Sequence, residues 1–125
     1  HLITIDIAGA TNDQEADSVA RTVAASALVK TAITGADPNW GRIVSAAGYA
    51  GVEMDVSMTS LKLNGYLVFE NGQPVDFDAR RISQDLKNQF ETFIELTIGC
   101  GAGSARHWTS DLTPEYVRFN SEYTT

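Results

Sequence analysis

The sequence predicts a single α+β domain (α/β layered) in which helices pack on one mixed or antiparallel sheet. Apolar residues alternate with period two in some segments and recur every three or four residues in others, which indicates both strands and helices. No linker, repeat or low-complexity run divides the 125 residues. The predicted element order is β-α-α-β-β-α-β-β-α, and a chain of this length can bury roughly two-thirds of its unfolded surface.

The first two elements are a strand and a helix. In residues 2–7, apolar side chains alternate with polar ones, as in a strand with one buried face. Asn12 followed by Glu15 is a candidate capping box, and a second possible register starts one residue earlier. Apolar residues then recur at helical spacing, which predicts one helix of about five turns that ends at Gly35.

The next helix is expected to begin at an Asp-Pro pair. Asp37 can cap free amides, and Pro38 suits the first helical position. Small residues at helical spacing follow, and Gly51 is expected to close the helix. Its first turn carries an amide, an indole and a guanidinium. Two interpretations stay open: part of a site, or a helix–helix corner in which Trp40 is core and Arg42 is paired.

The middle of the chain predicts a hairpin and an amphipathic helix. An Asn-Gly pair at 64–65 lies between apolar residues at alternating positions, which is a strong hairpin signal. A second Asn-Gly pair at 71–72 and Pro74 are expected to end this hairpin. Asp78 is then the predicted cap of a helix that buries one face and exposes its charged residues.

Two strands and a last helix complete the predicted order. Residues 92–98 form a strand, and residues 105–110 return across a glycine-rich turn as its antiparallel partner. Pro114 then marks the start of the final helix.

Composition excludes several function classes. The net charge is −7, with nine Lys and Arg against sixteen acidic residues and no basic run, so we predict no nucleic-acid partner. The same balance disfavours an anionic membrane surface, and no apolar run reaches the length of a span. Cys100 is the single cysteine, which rules out an internal disulfide and fits a reducing, cytoplasmic compartment. We also predict no metal, because no Cys or His cluster is present.

Two candidate constellations are rejected on physical grounds. Ser104, His107 and Asp111 are the residue types of a hydrolytic triad, but Ser104 and His107 would point to opposite faces of a strand. His107 is instead expected to be packed or hydrogen-bonded. The GxGxG pattern of residues 99–103 is followed by no Lys-Ser/Thr, so we predict no nucleotide site. Cys100 has no cationic neighbour in sequence that would activate it as a thiolate.

The C-terminal segment is the most informative about function. Residues 109–125 are rich in aromatic and amide side chains, so we expect them to dock onto structure rather than fray. Asn120 and Thr125 offer an amide, a hydroxyl and a carboxylate at one place. These groups suit the charged ends of an amino acid.

Three segments of the sequence resemble the ornithine acetyltransferases of arginine biosynthesis, also called glutamate N-acetyltransferases. They are GADPNWGRIVSAAGYAG at residues 35–51, ENGQPVDFD at residues 70–78, and a C-terminal pattern in which DLT is followed by YVRFN and YTT. The resemblance covers essentially the whole chain but only the final third or so of a family member. It implies that residues 1–125 are the C-terminal domain of the β-chain of an N-terminal-nucleophile-type acetyltransferase.

The resemblance also implies a mechanism. The enzyme would cleave its own precursor before a threonine, and that threonine would carry acetyl from N-acetylornithine to glutamate in ping-pong fashion without a cofactor. Its partners would be an α-chain and a second β-chain in a heterotetramer. The roles that carry over are substrate binding by Asn120 and Thr125. The nucleophilic threonine, the oxyanion donors and a substrate-binding glutamate lie outside this chain, so no catalytic residue is assigned here. We expect segments upstream of His1.

Two expectations follow for the isolated chain. It should be inactive, and it should expose an apolar patch on the order of a few hundred Å² or more where its partners have been removed. The alternative is a non-catalytic binding or oligomerisation module derived from that family.

Overall fold

The structure, a computed structural model, describes residues 1–111, which form a six-stranded mixed sheet with four helices. The strands are β1 (Leu2–Ala10), β2 (Ser60–Leu63), β3 (Tyr66–Glu70), β4 (Gln73–Pro74), β5 (Glu91–Thr97) and β6 (Gly103–Ser110). The helices are α1 (Asp13–Ala25), α2 (Ala27–Thr34), α3 (Trp40–Gly48) and α4 (Ala79–Asn88), and a 3-10 turn covers Val56–Met58. The predicted α+β class is confirmed. The helix predicted to start at Pro114 lies outside the described residues.

The sheet has the order β4-β3-β2-β5-β1-β6, with β1 parallel to β5 and antiparallel to β6. The prediction that residues 92–98 pair with residues 105–110 was wrong, because β1 lies between these two strands. The loop between them crosses the end of β1 and is held there by two backbone bonds. Ile98 donates its N–H to the carbonyl of Ala8, and Gly101 donates to the carbonyl of Gly9 (3.0 Å each).

The helices cover one face of this sheet. His107 on β6, opposite Ile5 in the register, contacts Asp17 of α1. Phe69 on β3 stacks against Trp40 of α3. The apolar core lies between these helices and the strand positions on the same face, which are fully buried. Its largest side chains are Ile3, Ile5, Ile7, Ile33, Ile43, Leu61, Leu63, Ile82, Leu86, Ile94 and Leu96.

The predicted long first helix is instead two helices, and the break is at Ser26. Ser26 ends α1 and caps α2, because its Oγ accepts the N–H of Val29 (3.2 Å). Serine favours this arrangement, since its side chain competes for backbone amides that would otherwise continue the helix. At the start of α1, the Asn12 register is confirmed, because its Oδ1 accepts the N–H of Glu15 (2.8 Å).

The predicted start and end of α3 were both wrong. Asn39, not Asp37, is the cap, and its Oδ1 accepts the N–H of Arg42 (3.0 Å). Asp37 still belongs to the turn that closes α2, because its N–H donates to the carbonyl of Ala32 (2.8 Å). The helix ends at Gly48 rather than at residue 51.

The predicted hairpin at residues 64–65 is confirmed. Asn64 and Gly65 have φ of 49° and 83°, as a two-residue type I′ turn requires. Residues 71–72 adopt the same conformation, with φ of 50° and 77°. They therefore add the short edge strand β4 instead of ending the hairpin. Asp78 caps α4 as predicted, since its Oδ1 accepts the N–H of Arg81 (3.1 Å).

Candidate functional site

The first and last described residues of the chain lie together at one edge of the sheet. The Asp111 N–H donates to the carbonyl of His1 (3.2 Å), directly beyond the Leu2–Ser110 pair of β1 and β6. Asp111 is 3% exposed. Its Oδ2 lies 2.6 Å from His1 Nδ1. The segment that follows Asp111 therefore begins beside the amino end of β1.

The two predicted substrate-binding residues, Asn120 and Thr125, lie outside the described residues. Their role stays a prediction.

The segment at residues 35–51 makes the contacts that the interpretation as a helix–helix corner predicts. The Trp40 indole stacks on the Phe69 ring, with centroids 5.0 Å apart and planes 27° from parallel. Arg42 Nη1 donates to the backbone carbonyl of Leu28 at the start of α2 (3.2 Å). The indole and the guanidinium thus tie α3 to the sheet and to α2, and they serve packing.

The residue types of a hydrolytic triad are not assembled. Ser104 is exposed, and its backbone N–H donates to Oδ1 of Asp13 (3.0 Å). His107 Nε2 lies 2.7 Å from Asp17 Oδ1. Asp111 is engaged by His1. The prediction of a hydrogen-bonded His107 is confirmed, and the triad is excluded by these separate partners.

The glycine-rich loop is explained by close packing of backbone. A Cβ added to Gly101 would lie 2.0 Å from the Ala10 carbonyl oxygen, and one added to Gly103 would lie 2.2 Å from that of Asn12. Only glycine allows this approach. The glycines therefore let the β5–β6 loop cross the end of β1. This close packing explains their presence without a bound phosphate. Cys100 in this loop is exposed and free.

Two polar contacts link elements that are distant in sequence, and sequence patterns did not reveal them. The hydrogen bonds from His107 and then Arg21 lower the pKa of Asp17 below its ordinary value. Arg106 forms a two-pronged contact with Asp6, with Nε–Oδ1 at 2.6 Å and Nη2–Oδ2 at 2.9 Å, which raises the pKa of Arg106. Both contacts join residues far apart in the chain. The register of β1 and β6 brings Arg106 beside Asp6, and the packing of α1 on β6 brings His107 to Asp17.

Neither a metal-binding cluster nor a membrane-spanning helix is present in the described part of the chain. Residues 1–111 contain no group of three or more His, Cys, Asp or Glu side chains placed to hold a metal ion. None of the helices described there is long and apolar enough to cross a membrane.

Comparison with known proteins gives consistent matches over the whole chain. The model of the ArgJ family matches residues 1–125. The arginine biosynthesis bifunctional protein ArgJ of Rhodopirellula baltica is 56% identical over 121 residues, which are 97% of this chain and 30% of that protein. The chloroplastic protein of the same name from Citrullus lanatus is 47% identical over 128 residues, covering 99% of this chain and 28% of its own length.

A solved structure also matches. The crystal structure of the arginine biosynthesis bifunctional protein ArgJ from Bacillus halodurans superimposes with a TM-score of 0.92 at 38% identity. The match covers 98% of this chain and 57% of that chain. The present chain thus spans about 30% of the length of the curated relatives that it matches.

Proposed function

Because the chain belongs to the ArgJ family, we propose that it is part of an arginine-biosynthesis acetyltransferase that moves acetyl from N-acetylornithine to glutamate. The observation that carries the proposal is the family match over residues 1–125. The fold agreement with the Bacillus halodurans protein supports it. In this proposal, residues 1–125 are the C-terminal domain of the β-chain, and they supply substrate-pocket and assembly residues.

The proposed reaction has two acyl transfers. The hydroxyl of a threonine outside this chain attacks the acetyl carbonyl of N-acetylornithine, with the amine of the same threonine as base. The bond to ornithine breaks, ornithine leaves as the amine, and an acetyl-threonine ester remains. The amine of glutamate then attacks this ester, which forms N-acetylglutamate and restores the hydroxyl. No cofactor is needed, because each step only exchanges one acyl acceptor for another.

The proposed contribution of this chain is recognition. The Asn120 amide hydrogen-bonds a charged group of the amino-acid substrate, and the carboxylate of Thr125 attracts an ammonium. The C-terminal pattern that this sequence shares with the family supports this assignment.

The proposed assembly is a heterotetramer with an α-chain and a second β-chain. A cytoplasmic location is proposed, since Cys100 is free and exposed, as is usual in a reducing compartment. The matched plant relatives are named chloroplastic, so members of this family work in more than one compartment.

The acyl intermediate provides the direct test. The parent enzyme is incubated with N-acetylornithine without glutamate, quenched, digested and examined by mass spectrometry. An acetyl ester is expected on a threonine outside residues 1–125, and the purified 125-residue chain should transfer no acetyl. An ester inside residues 1–125, or transfer by the isolated chain, would refute the division of roles. A parent protein with neither ester nor transfer would favour the non-catalytic module.

A further inference from the structure

We infer that the helix-free face of the sheet is a docking surface for polypeptide of the parent enzyme that lies outside residues 1–125. This open sheet face consists of the strand positions opposite the core on β2, β5, β1 and β6. No described helix or strand covers it. Its members, by register, are Lys62, Glu91, Phe93, Glu95, Thr4, Asp6, Arg106 and Trp108.

An aromatic row crosses the centre of the open sheet face. Thr4 on β1 is paired with Phe93 on β5 and with Trp108 on β6. Phe93 is 38% exposed and Trp108 is 61% exposed, whereas Thr4 between them is buried. The two rings together expose on the order of 200 Å². The two exposed rings flank Thr4 in one row instead of lying scattered over the surface.

A charged row runs beside the aromatic row. The register places Lys62 next to Glu95, Glu95 next to Asp6, and Asp6 next to Arg106. Arg106 is held in place by its two-pronged contact with Asp6. On the other side of the aromatic row, Glu91 accepts a hydrogen bond from the Thr4 hydroxyl (3.4 Å). The aromatic row is thus bordered on one side by a charged row and on the other by Glu91, Leu2 and Ser110.

The described helices cover one face of the sheet only, and the open sheet face is large enough for a contact. Four strands at about 4.8 Å spacing and about 20 Å of strand length make a face on the order of 300 Å², which fits one side of a small inter-domain contact.

The parent polypeptide is the occupant that the comparisons favour. The chain spans 30% of the Rhodopirellula baltica relative and 57% of the Bacillus halodurans chain whose fold it shares. Most of the proposed parent enzyme therefore lies outside residues 1–125, and that polypeptide can pack on this domain. We expect the docking segment to place apolar side chains on Phe93 and Trp108, and a basic side chain opposite Glu91 and Glu95, because carboxylates outnumber cations on this face.

Site-specific crosslinking identifies the occupant. The parent enzyme is made with the photoreactive residue p-benzoylphenylalanine in place of Trp108, irradiated, digested and sequenced by mass spectrometry. The matched control carries it in place of Tyr49, which is 86% exposed and lies at the end of α3 on the helix side. We expect crosslinks from position 108 to peptides outside residues 1–125, with a yield at least about fivefold above position 49.

Three outcomes would overturn the inference. They are crosslinks only to residues 112–125 of the same chain, crosslinks only to a second copy of residues 1–125 (recognised with isotope-mixed enzyme), and a yield no higher than at Tyr49. The first two outcomes would identify a different occupant of the face, and the third would mean that the face has no occupant.

Footprinting of the unmodified enzyme keeps the inference testable if the substituted enzyme does not assemble. Hydroxyl-radical oxidation of Trp108 in the native enzyme should be about tenfold slower than in the unfolded enzyme, as for a buried interface residue. Oxidation at nearly the unfolded rate would mean that the face is free and would overturn the inference. Neither readout depends on acetyl transfer. The inference rests on family membership and not on the proposed reaction, so a negative result here would leave that reaction intact. A failure to find the acetyl ester would likewise leave the docking surface intact.

Discussion

Replacing Thr92 by valine tests whether the buried Thr92 hydroxyl lacks a hydrogen bond in the folded protein. Thr92 lies on β5 opposite Ile3, is 0% exposed, and its Oγ1 has no hydrogen-bond partner in the described structure. An unpaired buried hydroxyl costs about 1–3 kcal/mol, and valine keeps the shape while removing that hydroxyl. We therefore expect Thr92→Val to stabilise the domain by about 1–2 kcal/mol.

Amide hydrogen exchange in the parent enzyme measures this effect locally, since it reports the opening free energy of individual elements. A gain of 1–2 kcal/mol corresponds to exchange about 5- to 30-fold slower for the amides of β5 and β1. The prediction requires that these amides exchange through opening of the domain, which their central place in the sheet favours.

Thr59 provides a matched control and the refuting result. It is also 0% exposed, but its Oγ1 donates to the carbonyl of Asp55 (2.9 Å). Thr59→Val should therefore lose stability, by about 0.5–1.5 kcal/mol for the missing bond. Equal losses in both variants would mean that the Thr92 hydroxyl is bonded in the native protein, and the reasoning would fail.

Three further predictions concern caps, charge and glycine. Asn39→Ala should destabilise α3 by about 0.5–2 kcal/mol, because it removes the cap, and Asp37→Ala should cost less; exchange of the α3 amides measures both. Asp17 has a lowered pKa in the folded protein, so its stabilisation is present above its ordinary pKa of 3.8 and is lost as pH falls through the folded value. Asp17→Asn should flatten this acid limb, measured as unfolding midpoint against pH. Gly101→Ala should disrupt the loop, whereas Gly48→Ala, with open space at its Cβ, should be stabilising by about 1 kcal/mol.

Each of these has a clear contrary result. A larger loss of α3 stability for Asp37→Ala than for Asn39→Ala would mean that Asp37 caps the helix, as the sequence predicted. An unchanged acid limb in Asp17→Asn would mean that the contacts of Asp17 with its basic neighbours do not persist in solution. Equal stability of the two glycine variants would show that the β5–β6 loop tolerates a side chain despite its close backbone contact.

Local features of the fold were predictable because a few neighbouring residues decide them. The cap at Asn12, the cap at Asp78 and the turn at residues 64–65 each depend on contacts within about four positions of sequence. The break at Ser26 was missed because apolar spacing continues through it. The competing side-chain bond to Val29 does not disturb that spacing.

Features set by distant residues were not predictable in the same way. The chain places β5 and β6 in succession, yet β1 separates them, since pairing both strands with β1 buries its isoleucines at the centre. The exposed row of Phe93 and Trp108 follows from that register, and the contact of His107 with Asp17 also requires α1 to pack on β6. The apolar pattern of a single strand does not show which strands lie beside it.

The same distinction between local and distant contacts applies to the candidate site. The indole of Trp40 and the guanidinium of Arg42 suit a site or a packed corner equally in the sequence, and their contacts with Phe69 and Leu28 appear only in the fold. The proposed roles of Asn120 and Thr125 come from the family resemblance. Residue chemistry alone limits them to a docked tail with groups that suit an amino acid.

Steady-state kinetics of Asn120→Ala in the parent enzyme test the central claim most directly, namely that this chain contributes to the substrate pocket. Loss of a hydrogen bond to a charged substrate group, worth about 1.5–3 kcal/mol, should lower kcat/KM by about 10- to 100-fold at an unchanged melting temperature. Asn88→Ala, at the exposed end of α4, is the control and should keep kcat/KM. An Asn120→Ala enzyme that is folded and has unchanged kcat/KM would contradict the claim and leave the tail no role in substrate binding.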